Sequence, residues 1–225
     1  DLAYMLNKAG AEIVVAFADS LPVVAAARGA TRVREVVAIG APDGTSTPFA
    51  AFMERGDGRP LPVAVEETDP VGMTFTGGTT GFPKAVTVTH RNRYASCVAA
   101  GVEFGLDETD IGIVAAPLFH AVGQFIWFQS LVMLGCTQVM LPRWDVAGFM
   151  ALAERHRATA SLLVPTQLTD LVGHREFDAA RLATLRHVSY AGAPMAVTLD
   201  YLLVECERGR AVFQGVPDRK STRLN

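Results

Sequence analysis

The run Thr76-Gly77-Gly78-Thr79-Thr80-Gly81-Phe82-Pro83-Lys84 constrains this chain more than any other feature, because it puts three glycines, three threonine hydroxyls and a lysine into nine residues. Glycines let backbone N–H groups converge on an anion with no Cβ in the way, hydroxyls add donors, and lysine adds a mobile positive charge. Hydrogen bonds to a charged partner contribute about 1.5–3 kcal/mol each, so four or five of them can hold a triphosphate. An ordinary hairpin turn needs one or two glycines and has no use for the lysine or the threonine cluster. On both flanks, Val71-Gly72-Met73-Thr74-Phe75 and Val86-Thr87-Val88-Thr89 read as strands, so the loop is expected to join two of them. It is not a Walker A loop, since Pro83 stands before the lysine, Ala85 after it, and no helix follows.

Further strand-like runs at Glu12–Ala18, Val33–Ile39, Ile111–Ala115, Gln138–Leu141, Ala160–Val164 and His187–Tyr190 alternate with helix-like ones, which is the rhythm of an α/β layered fold. The clearest helix starts at Asp145, a candidate N-cap, and ends on Arg155-His156-Arg157, whose charge suits the helix dipole. A second, Val122 to Leu134, is apolar on nearly all sides and is expected to be buried. From Ile111 to Pro142 there is no Asp, Glu, Lys or Arg, but Pro117, His120, Gly123, Gln124, Gln129, Gly135 and Gln138 interrupt the run. That pattern reads as strand, loop, helix and strand, with no transmembrane segment. The Gly- and Pro-rich stretch 42–69 reads as a long surface excursion.

At 225 residues and 50% hydrophobic content the chain can bury one sizeable core. A net charge of −3 with scattered Lys and Arg gives no basic face, which argues against nucleic acid as a partner. Cys97, Cys136 and Cys206 are far apart and set among apolar residues, as reduced buried thiols of a cytoplasmic protein would be. No His/Asp/Glu spacing suggests a metal site, and no Gly-x-Ser-x-Gly elbow points to a serine hydrolase.

The nine-residue loop resembles the signature of the AMP-forming adenylate synthetases, a family that includes acyl-CoA ligases, luciferases and peptide-synthetase adenylation domains. It departs from that signature only at Ala85, where Gly is usual. In the same order, Pro117-Leu118-Phe119-His120-Ala121-Val122-Gly123 resembles the family's acyl-site motif, and Tyr190-Ala191-Gly192-Ala193-Pro194-Met195 its adenine-site motif. The resemblance implies the layered α/β-sheet N-terminal domain of these enzymes, incomplete at both ends, with 1–217 a partial AMP-binding domain. Val212-Phe213-Gln214-Gly215 resembles the approach to a further motif, but Val216-Pro217 replaces its Tyr-Gly, and its Thr-Glu pair is missing. The last residues, 218–225, resemble a translated sequencing adapter and are expected to be a non-native tail.

By resemblance, Thr76, Gly77, Gly78, Thr79, Thr80 and Lys84 hold the phosphates of ATP, and Gly81 and Pro83 shape the loop. Ala191, Gly192, Ala193 and Pro194 lie along the adenine, with Gln214 and Gly215 continuing that wall. His120 sits beside the substrate carboxylate. Catalysis would rest on Lys84, Thr80 and His120. Magnesium would accompany the ATP, and CoA would take the acyl group. The family's magnesium-binding Glu and C-terminal catalytic Lys have no counterpart here, so the 225 residues alone are expected to be inactive.

The leading reading is part of an acyl-CoA synthetase that activates a fatty or related carboxylic acid. An acyl-AMP ligase or adenylation domain loading a carrier protein is an alternative; an amino acid is disfavoured because Pro117–Gly123 holds no carboxylate to pair with its ammonium group. A γ-phosphotransferase and a non-catalytic nucleotide-binding module also stay open.

Overall fold

The structure, a computed structural model, describes residues 1–77 and 81–192. The chain divides into two compact units, Asp1–Arg91 and Asn92–Asn225.

In the first unit, helix α1 (Leu2–Ala9) stops at Gly10, whose φ of 64° suits glycine, and leads into strand β1 (Ile13–Phe17). Helix α2 (Leu21–Arg28) then connects to β2 (Glu35–Ile39), parallel to β1 with Val15 opposite Val37. Leu21, Val24, Val33, Val36 and Ala38 form a buried cluster, closed on one side by Leu2 and Leu6 of α1. The excursion opens with two elements that its composition hides, strand β3 (Thr47–Pro48), parallel to β2, and helix α3 (Phe49–Met53). Residues 53–71 are exposed throughout, as a surface excursion requires. The unit ends with β4 (Pro70–Thr76) and β5 (Lys84–Thr89), a separate antiparallel pair.

Helix α4 (His90–Phe104) begins in the first unit and ends in the second. The second unit is built on four parallel strands, β6 (Ile111–Val114), β7 (Thr137–Met140), β8 (Ala160–Leu163) and β9 (His187–Tyr190), in the spatial order β7-β6-β8-β9. Both faces of this sheet are covered, as the largely apolar, buried central strands β6 and β8 require. On one side Ile113, Ala115 and Leu163 pack with Phe149 and Met150 of α6 (Val146–His156) and Leu168 and Leu171 of α7 (Pro165–Gly173). On the other, Val114, Ala116, Ala160 and Leu162 pack with Val122, Trp127 and Leu131.

The α6 boundaries follow the sequence closely: the Asp145 carboxylate accepts from the Gly148 N–H at 2.6 Å, and Arg157 ends the helix in the left-handed region at φ 51°. Apolar stretch 122–134 differs from expectation. It is a π-helical segment, Val122–Phe128, continued by α5 (Gln129–Met133), and only one side is buried: Trp127 and Leu131 are fully buried, whereas Val132 is 54% exposed. A helix laid on a sheet offers it one face, so apolarity all round does not bury every residue. Among the described residues no helix is long and apolar enough to cross a membrane.

Candidate functional site

The phosphate-loop motif joins β4 to β5, as its flanks predict. Phe75 pairs with Ala85 and Thr76 with Lys84, so Lys84 is the first residue of β5 and the strand begins two residues before the alternating run Val86–Thr89. Thr76, Gly77, Gly81 and Lys84 are exposed, and none of the ion pairs among the described residues uses Lys84. The Phe82 ring stacks on Tyr4 of α1 at 4.8 Å between centroids, which anchors the far side of the loop to the body of the first unit. Gly78, Thr79 and Thr80 lie outside the described residues.

In the second unit the chain passes from β6 to β7 on one side, then crosses to β8 on the other side of β6 and continues to β9. The strand order therefore reverses between β6 and β8, and open parallel sheets bind ligands in the crevice outside the carboxyl ends of strands at such a point. Two of the sequence motifs emerge at this carboxyl edge, one at the reversal and one a strand beyond it. His120 lies on the loop that leaves the carboxyl end of β6, and Ala191 and Gly192 follow the carboxyl end of β9. Ala191 N donates to Leu163 O at 3.3 Å, so the adenine-motif segment starts against β8. Gly192 turns away at φ 97° with Val164 as its neighbour. Ala193, Pro194, Gln214, Gly215, Cys206 and the 218–225 tail lie outside the described residues.

The His120 loop is closely specified. His120 N donates to Pro117 O at 3.1 Å, His120 O accepts from Gln124 N at 3.0 Å, and the ring Nδ1 accepts from Val122 N at 3.2 Å. With Nδ1 engaged as acceptor, a neutral ring carries its proton on Nε2. The residue is exposed, and so is Phe119 beside it. Gly123 makes this turn possible, because a Cβ there would sit 2.3 Å from Pro117 O and 2.7 Å from Ala116 O. The π-helical segment that follows is held from below by Trp127, whose Nε1 donates to Ile113 O at 2.8 Å, and from the side by Arg93 of α4. The Arg93 guanidinium donates to Phe125 O and to Gln129 Oε1 and lies over the Phe125 ring at 4.6 Å.

Sequence reasoning missed Gln167, at the third position of α7. Its Oε1 accepts from Val164 N at 2.9 Å and its Nε2 donates to Ala115 O at 3.0 Å, and it is buried. The available signal was half of a helix-start pattern, Pro165 at the first helical position with Gln two residues on.

At the opposite end of the sheet, before β6, β8 and β9, Asp110 is fully buried and accepts from Thr159 Oγ1 at 2.5 Å, Asp107 N at 3.0 Å and Arg186 Nη2 at 2.7 Å. Next to Arg186, His187 shares a 2.6 Å hydrogen bond with Ser189, and burial holds its pKa below the ordinary value, only partly opposed by Asp110. Cys97 and Cys136 are buried and free; burial, then the charges of Asp110 and Asp107, push the Cys136 thiol up, away from thiolate chemistry. This end of the sheet does structural work.

A parallel sheet wound on both faces defines an α/β protein, and comparison with known proteins gives its family. A family model described as AMP-binding enzyme matches residues 1–215. A long-chain-fatty-acid–CoA ligase of Thermus thermophilus is 33% identical over 199 residues, covering 86% of this chain and 36% of that protein. A feruloyl-CoA synthase of an Amycolatopsis species is 31% identical over 166 residues, covering 74% and 33%. Among solved structures, the anthranilate CoA ligase in complex with anthranoyl-AMP matches with TM-score 0.82 at 21% identity, over 91% of this chain and 40% of that one. A long-chain-fatty-acid-CoA ligase from Archaeoglobus fulgidus matches with TM-score 0.80 at 24% identity, over 95% and 43%. These two share the fold. The chain belongs to the AMP-binding enzymes, the AMP-forming adenylate synthetase superfamily. It spans about a third of the length of the curated relatives it matches.

Proposed function

We propose that the chain is the nucleotide- and acid-binding portion of an AMP-forming acid–CoA ligase. The observation that carries the reading is the emergence of the His120 loop and the Ala191-Gly192 turn at the carboxyl ends of β6 and β9, either side of β8, within a chain whose family match runs from 1 to 215. A carboxylate does not acylate a thiol because its leaving group would be oxide. Attack of the carboxylate oxygen on the α-phosphorus of ATP forms acyl-AMP and expels pyrophosphate. Attack of the CoA sulfur on the acyl carbon then forms the thioester and releases AMP, with the thiol proton passing to solvent.

In this reading Thr76, Gly77, Gly78, Thr79, Thr80 and Lys84 hold the phosphates and stabilise the charge that builds on them, a kind of contribution that is usually the largest in such transfers. Ala191, Gly192, Ala193 and Pro194, with Gln214 and Gly215, border the adenine. His120, its Nε2 free to donate, meets the acid. Magnesium arrives with ATP as its counter-ion, part of that substrate; among the described residues no group of three His, Cys, Asp or Glu could hold a metal ion. The acid is fatty or aromatic, and the relatives' names as CoA ligases and synthases favour CoA over a carrier protein. Residues 1–217 are the partial adenylation domain and 218–225 a non-native tail. A cytoplasmic location belongs to the same reading, since ATP and CoA are its co-substrates.

The test is an assay of the full-length protein with ATP, CoA and a panel of carboxylic acids. AMP, pyrophosphate and a CoA thioester in equal amounts are expected, and ADP with phosphate in their place would overturn the reading.

A further inference from the structure

Beyond the motif residues, the geometry points to Gln167 as a positioning residue that sets the width of the crevice between β6 and β8. The register of these strands runs Gly112 with Ala160, Ile113 with Ser161 and Val114 with Leu162, and there the pairing stops. Past that point the two chains part, one toward the His120 loop and the other into α7. The Gln167 side-chain amide takes over at the place where the backbone ladder ends. Its Nε2 donates to Ala115 O, the first residue beyond β6, and its Oε1 accepts from Val164 N, the first residue beyond β8.

A primary amide is suited to this because it offers a donor and an acceptor on one planar group, and the two backbone groups it meets are a carbonyl and an N–H. Both partners are backbone, so the contact fixes chain positions and not side-chain positions, and neither partner titrates. Gln167 is 5% exposed, and leaving its partners unmet would strand the buried Ala115 carbonyl and the half-buried Val164 N–H, so the amide holds both exits tightly. Two residues beyond Ala115 lies Pro117, whose carbonyl accepts from His120 N, and Val164 borders Gly192. The amide thus sits at the root of the loop that carries the acid-site histidine and beside the turn that carries the adenine motif. The chemical consequence is that Gln167 governs how acid and nucleotide are aligned, which appears in kcat and not in nucleotide affinity. This inference rests on the ligase reading above.

Gln167→Glu and Gln167→Met test it in the full-length protein by pyrophosphate exchange into ATP, with the acid that supports it best. Glu keeps the shape but, when ionised, turns an acceptor toward the Ala115 carbonyl; when protonated it supplies a donor and an acceptor again. Burial raises a carboxyl pKa, so that protonation is reachable. Met fills the volume without either bond. The expected result is a fall in kcat of about 10²-fold for both, the loss a misplacement of about 1 Å produces, with the KM for ATP within about threefold of the parent. The Glu variant should regain activity relative to the parent as pH falls from about 8 to about 6, while Met does not. Equal kcat for parent and Met variant would overturn the inference, as would a Glu profile parallel to the parent's. Should the Glu variant fail to fold, the kcat of the Met variant decides. No exchange in the unsubstituted protein with any acid would overturn the ligase reading and this inference with it.

Discussion

Asp110 and Arg186 form an ion pair at 2.7 Å in which the carboxylate is fully buried and the guanidinium side chain is 49% exposed. The asymmetry decides which partner matters more. Removing Arg186 leaves a buried carboxylate with Thr159 and the Asp107 N–H as its remaining donors, and an uncompensated buried charge costs about 3–5 kcal/mol. Removing Asp110 leaves a guanidinium that can turn to water, and the loss reduces to unmet hydrogen bonds at about 1–3 kcal/mol. Arg186→Met is therefore expected to destabilise more than Asp110→Ala in urea unfolding, and the reverse order would show that the pair is solvated.

His187 makes stability pH-dependent in a window of its own. Its folded pKa lies below the ordinary 6.5 because burial disfavours the charged ring. The unfolded chain therefore binds the proton more readily, the contribution is complete above about pH 6.5, and it is lost as pH falls from there through the folded value. Each unit of separation is equivalent to about 1.4 kcal/mol. The carboxylates with lowered pKa values, half-buried Glu35 and exposed Asp43, Asp57 and Asp107, act only below their ordinary 3.8–4.5. Unfolding curves between about pH 7 and pH 5 should show a loss of stability that His187→Gln removes. An unchanged slope in the variant would assign the effect elsewhere.

Gly123 and Gly112 are both closely approached, but by different atoms. A Cβ at Gly123 meets backbone oxygens of Pro117 and Ala116, whereas at Gly112 it meets the side-chain tip of Leu131 at 2.6 Å. A side chain can turn aside and a backbone carbonyl cannot without moving the loop. Gly123→Ala should cost about 1–3 kcal/mol of overpacking and also displace His120. Gly112→Ala should leave adenylation nearly intact. Equal activity losses in the two variants would remove the special role given to the His120 loop.

Much of this was legible in the sequence because alternation exposes strands: eight expected strands are present, with ends shifted by at most two residues. Strand β3 was not, since Thr47-Pro48 is too short to alternate, and α4 was not, since His90–Phe104 mixes polar and small residues without an apolar stripe. The motifs placed His120 and Ala191-Gly192 correctly on loops following strands. Gln167 carried no such signal, because its meaning lies in Ala115, 52 residues earlier. Contacts of that span come from topology, which local pattern does not encode.

Lys84 and Thr80 are proposed to serve the departing phosphates, which have left before the thiol attacks. Lys84→Ala and Thr80→Val in the full-length enzyme should slow acyl-adenylate formation by about 10²–10³-fold, the effect of removing one preorganised donor from a developing anion. Transfer from preformed acyl-AMP to CoA should be spared. Pyrophosphate exchange within about twofold of the parent would mean that the β4–β5 loop does not hold the phosphates.

The acid follows from what surrounds the His120 loop in the second unit. No Asp or Glu occurs from Ile111 to Pro142, and exposed apolar side chains flank His120, Phe119 before it and Ile126 on the segment after it, with Phe128 half-buried. Arg93, the cation that reaches this segment, is already engaged with Phe125 O and Gln129 and would repel an ammonium group. A chain bound against such a wall gains about 0.8 kcal/mol per buried CH₂. An amino acid would leave its ammonium unpaired, at a cost of several kcal/mol if the charge were kept. Medium or long fatty acids, or aryl acids, should therefore exceed every amino acid in pyrophosphate exchange at equal concentration. An amino acid as the best substrate would overturn both the argument from this apolar surface and the choice of CoA ligase over an amino-acid adenylation domain.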